Sequence, residues 1–334
     1  MRKLNILFRI SGGKAPGKEL GYGHVFRSKN LAYFFREHNV WFLLEDYGGV
    51  KNILTKNGFK KIINLKCNCS INEDVNITIN TIKKKKIDIF INDVYKVNNE
   101  YLKKIRRFTK TVLITDLKKY KYSADLIVNG FIGFENQIIK DKKRKTLLGP
   151  KYQILDHRFS VITKIKPKND LLVTFGGFDE NNITEIFLEE LIKFNGKIKT
   201  KIIHGPSSVK TKRIKEIEKK LANNISIVSY ADMFKEISQT RFGLCSGGIT
   251  TYEFATLGVP FAIISQVKHQ NLTAKIWAKK KNCTNLGIVD KNTGKKISEY
   301  LENIMLNDNK ISSKLIRTNG GKYVHNEIIK LVND

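Results

Sequence analysis

"NILFRISGGKAPGKELGYGHVFRSKNLAYFF", residues 5–35, reads as a strand, a glycine-bearing loop and a helix in succession. The opening apolar run has the length and β-branched character of a buried strand. Val25, Leu31, Phe34 and Phe35 then recur at roughly helical spacing. The same alternation continues outward, with candidate strands at 40–45, 60–65, 87–92, 111–115 and 125–129 following one at 3–10. Helical patterns lie between them, at 24–38 and 99–108. The pattern breaks in the charged, proline-punctuated stretch 141–170 and then restarts, with strands near 170–175, 199–204, 225–228, 241–245, 260–264 and 285–289. Residues 209–222 carry a helix there, and Asn182 and Thr184 are suited to open another. Strands alternating with helices predict an α/β fold class: two Rossmann-like domains with parallel sheets facing a central cleft. The expected boundaries are 1–150 for the first domain, 151–168 for a linker and 169–334 for the second, its final helix packing back on the first. In open sheets of this kind, ligands sit beyond the carboxyl ends of the strands.

Length and composition agree with that organisation. The chain's 334 residues exceed the roughly 250–300 at which a single core stops growing. Sixty-one Lys and Arg against 31 Asp and Glu leave a formal charge of +30, which favours polyanionic partners and permits peripheral contact with an anionic membrane. A specific nucleic-acid partner is not expected, because no basic patch is interleaved with aromatics in the manner of a recognised module. Cys67, Cys69, Cys245 and Cys283 form no C-x-x-C pair, so structural zinc is not expected. Reduced thiols, no signal peptide and no membrane-length apolar run point to a cytoplasmic protein, expected to be a monomer.

Four glycine turns follow candidate strands: "SGG" (11–13), "GYGH" (21–24), "TFGGFD" (174–179) and "CSGGIT" (245–250). Glycine lets backbone approach a ligand, and the amides of a following helix attract phosphate. Their recurrence at matching strand ends of both halves points to a diphosphate-containing ligand, with Ser246, Gly247, Gly248 and Thr250 as the best cradle and Gly176 and Gly177 beside it. None of these loops matches the P-loop or G-x-G-x-x-G patterns, so neither a Walker-type ATPase nor a nicotinamide cofactor is expected. His24, behind Gly21 and Gly23, falls in the first turn of a helix, where the dipole disfavours the imidazolium and leaves a ring able to take a proton. Arg27, one turn on, is placed to hold a carboxylate or phosphate group. Asp93 and Tyr95 end the strand "INDVY" (91–95) at the substrate edge, although Asp93 could equally cap the next helix. His269, in "QVKHQN" (266–271), opens a helix after a buried-looking strand and is a candidate for lining the cleft. His38 and His325 read as packing or surface residues, His157 lies in the linker region and His204 ends a strand beside "GPSS".

Taken in order, "GYGHVFR" (21–27), "INDVY" (91–95), "TDLKKYKYSADLIVNG" (115–130), "LLGPKYQILDHRF" (147–159), "TFGGFDENNIT" (174–184), "CSGGITTYEFATLGVP" (245–260) and "VKHQ" (267–270) resemble the UDP-sugar hydrolase family of pseudaminic acid biosynthesis. That family cleaves UDP from a 2,4-diacetamido-2,4,6-trideoxy hexose. The resemblance covers nearly the whole chain and implies a GT-B architecture, with the sugar on the first domain and UDP held mainly by the second. It implies no cofactor and no metal. On it, His24 is the base that deprotonates water for attack at the anomeric carbon, and Asp93 and Tyr95 face the sugar. Ser246, Gly247 and Gly248 hold the diphosphate, Glu253 grips the ribose, and Gln270 matches the second member of an Asn-Gln pair whose first member here is His269. The chain departs from the family in its first loop, with Ser11, Gly12, Gly13 and a charged insertion, and in "ILDHRF" where an Arg-Pro-Glu-like triplet is usual. A glycosyltransferase on the same scaffold is the alternative, because an acceptor hydroxyl and a water molecule demand the same base.

Overall fold

The computed structural model describes residues 2–13, 22–94, 96–116, 122–135, 145–161, 167–177, 179–195, 197–205, 208–306, 316 and 319–333. The chain divides into two compact units, Met1–His157 with Thr318–Asp334, and Arg158–Arg317.

The first unit begins with β1 (Asn5–Gly13), α1 (Gly23–Tyr33), β2 (Asn39–Tyr47), α2 (Val50–Lys56) and β3 (Ile62–Leu65). It continues through α3 (Ile71–Lys85), β4 (Ile89–Asp93), α4 (Asn99–Arg106), β5 (Lys110–Ile114), β6 (Leu126–Asn129) and β7 (Lys145–Leu148). The strands form one parallel sheet in the order β3-β2-β1-β4-β5-β6-β7. Parallel pairing buries both faces, and β1 shows how its sequence meets that demand. Ile6, Phe8 and Ile10 pack with Val25 and Leu31 of α1, while Leu7 joins the opposite core with Val75 of α3 and Leu102 of α4. A capping box between Ser70 and Glu73 starts α3, the reciprocal pairing that satisfies two otherwise orphaned amides.

Arg9 breaks the apolar run of β1 yet is fully buried. Its Nη2 donates to Asp74 Oδ2 at 2.7 Å and Glu45 Oε2 at 2.8 Å, and its Nη1 donates to the Ile10 carbonyl at 2.6 Å. Tyr101 and Lys96 add further bonds to this pair of acids. Burial opposes the charged form of Asp74, but the Arg9 hydrogen bonds and charge hold its carboxyl below the ordinary range. A buried charge is tolerated only when paired this completely.

The second unit holds β8 (Asn169–Thr174), α5 (Ile183–Ile192), β9 (Thr200–Ile203), α6 (Lys212–Lys220), β10 (Ile225–Val228) and α7 (Met233–Ser238). β11 (Thr240–Cys245), α8 (Thr250–Leu257), β12 (Phe261–Ser265), α9 (Lys268–Trp277), β13 (Cys283–Ile288) and α10 (Thr293–Leu306) complete it. Its parallel sheet runs β10-β9-β8-β11-β12-β13. The final helix, α11 (Gly320–Asn333), belongs to the first unit, where Val324 and Ile328 enter the core shared with α1.

Six strands are expected in each half; the sheets have seven and six. The additional strand is β7, in the charged stretch where the expected pattern stops. Its four residues, Lys-Thr-Leu-Leu, are too few to show an alternation, and only pairing with β6 identifies them. Among the described residues, no helix is long and apolar enough to cross a membrane.

Candidate active site

In the first sheet the strand order reverses between β1 and β4, the switch point at which connections leave in opposite directions and open a crevice. His24 and Asp93 meet there. His24 is the second residue of α1, whose start is anchored by Tyr22, its hydroxyl donating to the Gly48 carbonyl at 2.9 Å. Asp93 is the last residue of β4 and is fully buried. His24 Nδ1 lies 2.6 Å from Asp93 Oδ1. A carboxylate can only accept, so in the neutral ring Nδ1 carries the hydrogen and Nε2 the basic lone pair.

Arg27 and Ser28 complete the grip on Asp93. Arg27 Nη2 donates to Oδ1 at 2.5 Å and its Nε to Oδ2 at 3.0 Å, while the Ser28 hydroxyl donates to Oδ2 at 3.1 Å. Arg27 Nη1 donates to Asp116, just beyond β5. Burial works against the charged form of Asp93, but the Arg27 charge, then the His24 ring, hold its carboxyl well below the usual carboxylate range. Arg27 is likewise raised well above its ordinary value: burial opposes its charge, and Asp116 and Asp93 outweigh that cost. The structure decides two readings that the sequence leaves open. The carboxylates that Arg27 holds are the chain's own, and its side chain is only 3% exposed. Asp93 does not cap α4; Asn98 does, its side chain accepting from the Tyr101 amide at 2.9 Å. Gly23 is the exposed first residue of α1. Gly21 and Tyr95 lie outside the described residues.

In the second unit, the loops after β8, β11 and β12 meet at the carboxyl edge of the sheet. Ser246 donates its amide to the Thr174 carbonyl at 3.3 Å, joining the first two. Gly247 is packed so closely on α9 that a Cβ there would come within 2.9 Å of Gln270 Cβ. Gln270 Oε1 accepts from the Gln266 amide at 2.9 Å, and Gln266 Nε2 donates to the Phe175 carbonyl at 2.8 Å. Gly176 is exposed and Gly177 half-buried. Gly205, at φ +64, lies against the carbonyls of both, where any side chain would collide with backbone.

The two glycine turns ahead of helices differ. At α5 the Asp179 carboxylate accepts from the Ile183 and Thr184 amides at 2.9 and 2.7 Å, so this helix start is already occupied by an acid. No side chain caps α8 among the described residues. Thr250 is its first residue, Glu253 stands half-buried in its first turn, and Ser246, in the loop before it, is buried. That start retains the character of an anion site. His269 sits exposed in the first turn of α9, its carbonyl accepting from the Thr273 hydroxyl.

Asp116, Gln266 and Asp179 escape the sequence reading. Asp116 carries nearly the same signal as Asp93, an acid at the carboxyl end of a buried strand, and could have been found by it. Gln266 and Asp179 act through contacts that their own neighbourhoods do not announce.

A family model for the Glycosyltransferase family 28 C-terminal domain matches residues 171–327. Uncharacterized protein MJ1062 of Methanocaldococcus jannaschii is 30% identical over 289 residues, spanning 80% of this chain and 58% of that protein. This chain thus spans little more than half the length of that relative. Spore coat polysaccharide biosynthesis protein SpsG of Bacillus subtilis is 28% identical over 296 residues, 81% of each chain. Among solved structures, UDP-GlcNAc 2-epimerase from Neisseria meningitidis bound to UDP-GlcNAc superposes with a TM-score of 0.63 at 13% identity, covering 97% of this chain and 100% of the other. At that identity the likeness is one of fold, and the fold is GT-B.

Proposed function

We propose that the protein hydrolyses a UDP-linked diacetamido-trideoxy hexose, releasing UDP and the free sugar for nonulosonic acid biosynthesis of the pseudaminic type. The observation that carries this reading is the His24–Asp93 pair, a base with its tautomer fixed at the switch point of a Rossmann-like sheet. Nε2 takes a proton from water, the water oxygen bonds to the anomeric carbon, and the bond to UDP breaks with its electron pair leaving on the diphosphate. Asp93 then faces an imidazolium, whose charge it stabilises. Ser246, Gly247, Gly248 and Thr250 at the α8 start receive the diphosphate, with Gly176, Gly177, His269 and Gln270 around it, and Glu253 takes the ribose hydroxyls. The helix end supplies partial positive charge to the leaving group. The protein acts in the cytoplasm as a monomer in this reading.

The domain matched over residues 171–327 favours a second reading, transfer of the sugar to a glycan or lipid acceptor. The test is a panel of UDP-sugars scored for UDP release with and without added acceptors. Release from UDP-diacetamido-trideoxy-altrose without acceptor supports hydrolysis; release only when an acceptor is present supports transfer.

A further inference from the structure

The polar cluster around His24 extends beyond the His24–Asp93 pair that the proposed reaction uses. Arg27 does not end its contacts at Asp93: its Nη1 reaches Asp116, while its Nη2 lies 3.2 Å from His24 Nδ1. Both nitrogens carry hydrogens there, and both donate to the same oxygen, Asp93 Oδ1. One guanidinium is therefore shared between a fully buried carboxylate that touches the base and a second carboxylate, 21% exposed, from the segment after β5. His24 is thus faced by Asp93 from β4, by Arg27 and Ser28 from its own helix and, behind Arg27, by Asp116 from the segment after β5.

We infer that Asp116 is a positioning residue: by holding the far end of Arg27 it sets how much negative charge Asp93 presents to His24, and so sets the strength of the base. The sign follows from the charges. Neutralising Asp116 removes a negative charge from the neighbourhood of His24 and leaves Arg27 wholly to Asp93. Both changes disfavour the imidazolium, so His24 should hold its proton only at lower pH. The guanidinium also loses one of its two anchors, which loosens the geometry of Asp93 against the ring. The kinetic side of this inference rests on the hydrolase reading; the electrostatic side does not.

The test separates the two by titrating the His24 ring with NMR, which needs no substrate. The protein has six histidines, and the His24→Ala spectrum assigns the signal. In Asp116→Asn the midpoint should move to lower pH by roughly half a pH unit, as loss of one charge bridged to the ring by a single guanidinium implies. Asp116→Ser, which also lacks the charge but leaves room for water, should move it the same way, and Asp116→Glu should bring it back toward wild type. A midpoint unchanged in whichever neutral variant retains the native circular dichroism overturns the inference. With a turned-over UDP-sugar, the acidic limb of the pH–rate profile should follow the NMR midpoint, and kcat should fall about threefold to tenfold at unchanged KM. If the NMR midpoint moves but no UDP-sugar is turned over, the hydrolase reading fails and the role of Asp116 stands.

Discussion

Asp93 stays ionised in a place that water does not reach because two cationic or hydrogen-bearing partners, Arg27 and His24, outweigh its burial. Its charge is what orients the imidazole, so Asp93→Asn should keep the shape and lose the function. An amide can satisfy the ring through the wrong tautomer, and kcat should drop on the order of 10²–10⁴-fold in the UDP-release assay. The same carboxylates govern acid stability. Asp93, Asp74 and Glu45 all have depressed values in the folded chain. The unfolded chain therefore binds more protons below an ordinary carboxyl value of about 4. Their contribution is fully present above that pH and is lost as pH falls from it through the lower folded values. Urea midpoints should be level between neutrality and about pH 5 and fall steeply toward pH 3. A midpoint flat to pH 3 would contradict this. Asp93 itself was legible as an acid at a strand end, but its partnership was not. The pair with His24 spans 69 positions and the Arg27–Asp116 pair 89; only the sheet brings such residues together.

The glycine turns looked alike as sequence, a strand end followed by a helix, and all could pass for anion cradles. What distinguishes them is what already sits on the helix amides. Asp179 reaches the fourth and fifth amides after itself, outside the ordinary capping spacing, while Asn182, expected to open α5, adopts a left-handed conformation and caps nothing. Asp179→Ala should lower stability by about 1–2 kcal/mol, read as a urea midpoint, and leave UDP binding within experimental error. Gly247→Ala should do the reverse. Its methyl would push against Gln270 at the start of α9, and UDP affinity measured by calorimetry should fall about tenfold or more while the fold persists. Equal losses of affinity in both variants would mean that the α8 start is not the diphosphate site. Most strands were legible because buried parallel strands are written as short apolar runs. β7 was not, since it lies at the sheet edge with an exposed lysine and a partly buried threonine.

Across the chain, two sheets with separate cores carry separate tasks in this account. A nucleotide held by the second unit should stabilise the protein whether or not the base is present. At 100-fold excess over its dissociation constant, UDP should add about 2.7 kcal/mol, raising the melting temperature equally in wild type and His24→Ala, with AMP giving a smaller shift. A UDP effect that disappears in His24→Ala would contradict this division. The +30 charge was the most conspicuous feature of the composition and the least informative, since it named a class of partner and no site. Order along the chain said more: strand-end loops recur in both halves, at the edge where open parallel sheets hold ligands.

Initial rates of UDP release from UDP-diacetamido-trideoxy-altrose, without acceptor, in wild type and His24→Ala at equal folded concentration, bear most directly on whether His24 activates water. Wild type should release UDP steadily, and the variant should lose on the order of 10²–10⁴-fold in rate. A variant that releases UDP as fast as wild type would contradict this.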